Sequence, residues 1–84
     1  MTSSSAKIRI EFFAVLREQA GLGAIEFEGA GMTPREIYAR LAPQYGFILP
    51  PDRIRFAVGD EYVSSDAPLK DGDEVLFIPP VAGG

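Results

Sequence analysis

Thr33-Pro34-Arg35-Glu36-Ile37-Tyr38-Ala39-Arg40-Leu41 decides the fold, because it both starts a helix and shows which side of it is buried. Thr33 can cap the first free amides, and Pro34 suits the first helical position, where no N–H is needed. Glu36 completes a capping box with Thr33. Ile37, Tyr38, Leu41 and Tyr45 then recur at helical spacing and form one apolar stripe. Pro43 predicts that the regular helix ends by about Ala42 or is distorted there. A helix with one apolar stripe needs a second layer to cover it.

The flanking sequence supplies that layer. Upstream, Lys7-Ile8-Arg9-Ile10-Glu11-Phe12 alternates strictly, with Ile8, Ile10 and Phe12 on one face, as in a half-buried strand. Phe13 then falls on the charged face. Residues 14–20 carry Leu16 and Ala20 four apart with Gly21 as a stop, which predicts a short helix. Residues 24–28 alternate again, Ile25 and Phe27 inward, and are expected to pair with the first strand before Gly29-Ala30-Gly31 ends them.

Downstream, residues 46–51 read as a loop, since Pro50-Pro51 continues neither element. Residues 54–58 form a strand with Ile54, Phe56 and Val58 inward; Gly59-Asp60 turns the chain, and residues 61–63 return antiparallel. Asp66-Ala67-Pro68-Leu69 is a loop that drops Leu69 into the core. Asp71-Gly72-Asp73 is a tight turn before the last strand, 74–78, and Pro79-Pro80 forbids further ladder bonding. The fold expected is α+β: a mixed sheet of about five strands packed on one main helix plus a short one. The expected organisation is a disordered N-terminus at 1–6, one domain at 7–78 and a flexible tail at 79–84.

Composition narrows the function. The 84 residues include neither Cys nor His, which removes thiol nucleophiles, disulfides, zinc spacings and conventional catalytic triads. A formal net charge of −4 argues against nucleic acid and anionic membranes as partners. Residues 1–6 lack the apolar core of a signal peptide and no run approaches a membrane span, so a cytoplasmic protein is expected. Asp71, Asp73 and Glu74 lack calcium-loop spacing and read as a solvated acidic turn; no metal is assigned to them.

The unusual feature is the end, Pro79-Pro80-Val81-Ala82-Gly83-Gly84. A carboxylate becomes an electrophile once it is activated as a mixed anhydride, and an activating enzyme must thread it into a narrow site. Residues without a Cβ pass where others clash, so Gly83 and Gly84 suit insertion into another protein. Residues 79–84 span roughly 20 Å when extended. The two prolines stiffen the base of that lead. A terminal Gly-Gly by itself is equally compatible with a frayed end.

A second clue is facial. If Val75 and Phe77 are core, Leu76 and Ile78 face outward beside the tail, on the side that also carries Phe13. Tyr62, on the short return strand, can join them. Apolar residues grouped on one surface mark a protein-binding patch.

Phe12-Phe13-Ala14 with Leu16-Arg17-Glu18 and Gly21, then Pro68-Leu69-Lys70-Asp71-Gly72-Asp73-Glu74-Val75, and the ending Ile78-Pro79-Pro80-Val81-Ala82-Gly83-Gly84 together resemble the sulfur-carrier small subunits of molybdopterin synthase. These are ubiquitin-like β-grasp proteins, and the likeness runs from about Lys7 to Gly84. The resemblance implies that an E1-like enzyme spends ATP to adenylate the carboxylate of Gly84. A sulfur donor protein then converts it to a thiocarboxylate. The tail, residues 79–84, next enters the large subunit and delivers sulfur to cyclic pyranopterin monophosphate, with Gly83 easing the threading. It further implies that Phe13, Tyr62 and Ile78 dock on the large subunit, in assemblies of two large and two small subunits, with no cofactor bound by the small subunit itself. At position 62 such proteins commonly hold a smaller aliphatic residue. Alternatives are a thiamine-pathway sulfur carrier, a ubiquitin-like modifier conjugated through Gly84, and a passive binding module.

Overall fold

The computed structural model describes residues 7–80. The expectations set on residues 1–6 and 81–84, Val81, Ala82, Gly83 and Gly84 among them, lie outside the described residues. The elements run β1 (Ile8–Phe12), α1 (Ala14–Ala20), β2 (Ala24–Phe27), α2 (Pro34–Tyr45), a 3-10 turn (Pro51–Arg53), β3 (Arg55–Val58), β4 (Glu61–Val63) and β5 (Glu74–Ile78). The five strands form one sheet in the order β2-β1-β5-β3-β4. Every neighbouring pair is antiparallel except β1 and β5, which run parallel with Ile10 opposite Val75 and Phe12 opposite Phe77. The mixed sheet expected from the sequence is therefore present, with its last strand in the middle.

α2 starts as its capping box dictates. The Thr33 hydroxyl accepts from the Glu36 amide at 3.2 Å, and the Glu36 carboxylate accepts from the Thr33 amide at 3.0 Å. Ile37, Tyr38 and Leu41 are buried against the sheet. The helix does not stop at Ala42; it runs through Pro43 to Tyr45. The reason lies in which face Pro43 occupies. Pro43 and Ala39 are both exposed, so the Ala39 carbonyl, whose helical partner the proline removes, can turn to water. The true stop is Gly46 at φ 77, whose amide, with that of Phe47, bonds the Ala42 carbonyl. Pro50-Pro51 breaks the loop in another way than expected, since Pro51 opens the 3-10 turn.

The core between α2 and the sheet joins Ile8, Ile10, Phe12, Leu16, Ile37, Tyr38, Leu41, Phe47, Ile54, Phe56, Leu69, Val75 and Phe77. It is aromatic at its centre: Phe12 meets Tyr45, Phe47 and Phe77 edge-on, and Tyr38 stacks on Phe47 at 5.4 Å. Leu69 is held inward by paired backbone bonds, Gly31 amide to Leu69 carbonyl and Leu69 amide to Met32 carbonyl. Gly29 sits where a Cβ would lie 2.7 Å from Phe27 Cδ2 and 3.0 Å from Ile37 Cδ1, so any larger residue would have to displace the Phe27 ring and the Ile37 methyl. Tyr38 donates its hydroxyl to the Leu49 carbonyl at 2.7 Å, and burial pushes its pKa above the ordinary tyrosine value.

Candidate functional site

The sheet's outer face is organised by register. Glu11, Leu76, Ala57 and Tyr62 stand opposite one another across β1, β5, β3 and β4. One step toward the end of β5, Ile78 stands opposite Arg55. One residue past the Phe12–Phe77 pair, Phe13 keeps an extended backbone (φ −124, ψ 151), so the alternation continues and its ring goes to the outer face beside Ile78. Ala14 then turns the chain into α1 at φ 52, the left-handed region that a residue with a Cβ occupies at a cost.

Ile78 leads to a buried Pro79 and an exposed Pro80. Pro79 continues the buried phase of Val75 and Phe77, whereas Pro80 is exposed. The strand end forms a ridge between two concavities. One, about 530 Å³, is walled by Phe13, Ala14, Val15 and Glu18; the other, about 330 Å³, by Arg53, Arg55 and Tyr62. Phe13 is 39% exposed and Tyr62 67%. The outer face thus brings Phe13, Ile78 and Pro80 together on one bank and sets Tyr62 on the other.

The sequence pattern does not single out the polar members of these banks. Arg55 lies over the Tyr62 ring, its Cζ 5.6 Å from the centroid. Charged residues on an outward strand face read as ordinary solvated surface, and only the register opposite Ile78 shows that Arg55 borders the strand end. Ala14, Val15 and Glu18 were likewise hidden inside a short helix pattern. Asp73, considered for a cation in the sequence, accepts the Lys70 amide at 2.8 Å and shapes its own turn. No helix among the described residues is long and apolar enough to cross a membrane.

Comparison with known proteins places this arrangement. Residues 10–84 match the ThiS family. The chain belongs to that family. The molybdopterin synthase sulfur carrier subunit of Escherichia coli (strain K12) is 39% identical over 80 residues, spanning 92% of this chain and 99% of its own. A Pyrococcus furiosus protein described as molybdopterin converting factor subunit 1 superposes with a TM-score of 0.73 at 31% identity, over 92% of this chain and 100% of its own. A chain of the Helicobacter pylori 26695 protein-protein complex of subunits 1 and 2 of molybdopterin-converting factor superposes with a TM-score of 0.64 at 26% identity, over 93% of this chain and 99% of its own. The ThiS-family chain described here is thus a β-grasp protein similar to sulfur carriers of molybdopterin synthase.

Proposed function

We propose that this chain is the sulfur-carrying small subunit of a molybdopterin synthase and that its reactive group is the carboxyl of Gly84. An E1-like enzyme joins that carboxylate to the α-phosphate of ATP and releases pyrophosphate. A sulfur donor protein then displaces AMP, leaving a thiocarboxylate that is ionised and nucleophilic near neutral pH. The large subunit receives the tail, supplies the acid–base groups and holds cyclic pyranopterin monophosphate. Two deliveries build the dithiolene, and each returns Gly84 as a carboxylate. The setting proposed is the cytoplasm.

One observation carries this reading: the central strand of the sheet ends at Ile78 and leads to an exposed Pro80 flanked by the exposed rings of Phe13 and Tyr62. A rigid body therefore offers an apolar docking face at the point from which residues 81–84 continue. Phe13, Tyr62, Ile78 and Pro80 would form that face, and Val81, Ala82 and Gly83 the lead into the partner. Pro79 would act from inside by fixing the direction of exit. The likeness to the Escherichia coli subunit over nearly the whole chain supports the same reading.

Mass spectrometry after incubation with the activating enzyme, ATP and a sulfur source tests it. The expected product has one oxygen of the terminal carboxyl replaced by sulfur and rebuilds the dithiolene when the large subunit is added. Deleting Gly84 should abolish transfer while the melting temperature stays unchanged. A chain found only in covalent conjugates with target lysines, or one that keeps its activity with a bulky residue added after Gly84, would overturn the proposal.

A further inference from the structure

The two banks of the strand end differ in charge. Arg53 and Arg55 line one, and no Asp or Glu lines that concavity; Glu18 lies on the other. The ion pairs formed among the described residues use other guanidinium groups, Arg9 with Glu74 and Arg35 with Asp52 and Asp66. Two cations thus share a concavity of about 330 Å³ that no Asp or Glu among the described residues lines, in a chain whose formal net charge is −4. Arg55 is also pre-positioned: the Tyr62 face beneath it restrains a side chain that would otherwise sample many rotamers. A restrained planar guanidinium is suited to bidentate carboxylate recognition. Across β3 and β5 Arg55 stands opposite Ile78, so the cationic bank is continuous with the apolar docking face.

We propose that Arg53 and Arg55, with the Tyr62 ring holding Arg55, form a carboxylate-reading half-site that receives an Asp or Glu side chain of the protein partner and sets the polarity of docking. This rests on the docking reading above and adds to it the chemistry of the partner's surface: acidic facing β3 and β4, apolar facing Phe13. A partner lacking that carboxylate would still meet the apolar face but would leave Arg55 desolvated and unpaired, which disfavours the wrong partner.

The test is the salt dependence of binding between the full chain and its purified large subunit, followed by calorimetry or fluorescence from low to high ionic strength. Arg55→Leu should weaken binding roughly 3- to 10-fold at low salt, with its curve converging on the wild type as salt rises, because a rim ion pair is screened. Arg53→Leu with Arg55→Leu should flatten the salt dependence further. Tyr62→Leu should fall between wild type and Arg55→Leu. Phe13→Ala, by contrast, should weaken binding by a similar factor at every salt concentration. Parallel salt curves for wild type and the double arginine variant would overturn the half-site while leaving the docking reading intact; a wild-type chain that does not bind the large subunit would overturn the docking reading itself. A shift of the Arg53 or Arg55 side-chain N–H resonances of the free chain on amidating Gly84 would assign the half-site to the chain's own terminus and also overturn the proposal.

Discussion

Phe12 and Phe13 are adjacent, chemically identical and set to opposite tasks. Phe12 is 2% exposed and meets three aromatic rings inside the core; Phe13 is 39% exposed and stands beside the end of β5. One step along an extended backbone reverses the direction of the side chain, and with it whether the ring supports the fold or stands open to solvent. The whole sheet repeats the division. Its inner face is closed by α2, while its outer face leaves Leu76, Ile78 and Tyr62 partly or largely open. Stability is concentrated on the inner side; if the outer side carries recognition as proposed, the two can be altered separately.

The largest expected effect tests that separation directly. Phe12→Ala should cost about 3–5 kcal/mol of stability, measured by urea unfolding, because it empties the centre of an aromatic cluster. Phe13→Ala should stay within about 0.5 kcal/mol of wild type in the same measurement yet weaken binding to the large subunit. If Phe13→Ala unfolded the domain as Phe12→Ala does, the two-sided division would fail. Next in size is Gly29→Ala on the inner side, where the added methyl meets Phe27 and Ile37; a loss of about 1–3 kcal/mol is expected with partner binding per folded molecule unchanged.

Tyr38 sharpens the contrast through pH. Burial raises its folded pKa above the unfolded value, so above the ordinary tyrosine pKa the unfolded chain binds fewer protons than the folded one. Stability from keeping this phenol neutral is complete below that value and is lost as pH rises through the folded pKa. Tyr38→Phe should remove that part of the alkaline decline, at a cost of about 1 kcal/mol at neutral pH for the lost bond to the Leu49 carbonyl. Unfolding curves at neutral and alkaline pH measure both. The smallest effect is expected where the chain turns from one task to the next: Ala14→Gly relieves a left-handed alanine and should raise stability by at most about 1 kcal/mol in thermal unfolding, with Phe13 still outward.

Local chemistry made much of this legible. Strict alternation located β1, the Gly59-Asp60 and Asp71-Gly72-Asp73 turns located β4 and β5, and the Thr33–Glu36 box located the start of α2. The same alternation carried past Phe12 and Phe77 gives the outward setting of Phe13 and Ile78. What local rules missed depended on facts that only the folded chain possesses. Pro43 reads as a helix end until its solvent-facing position is known. The pairing of β1 with β5 joins strands separated by most of the chain, and no short window encodes it. Arg53 and Arg55 acquire meaning only when the register sets Arg55 opposite Ile78. Pro79 reads as the start of a departing lead, and its burial shows that the alternation outlasts the last ladder bond by a residue.

The central place of β5 also bears on synthesis. Until residues 74–78 have been made, β1 with β2 and β3 with β4 are two unconnected fragments, each too small to hide its own apolar side. A chain broken off before that point stays open to proteases, because closure must wait for the final strand. Folding thereby depends on length: the two halves of the sheet join only in a chain long enough to have made the strand that leads to residues 79–84.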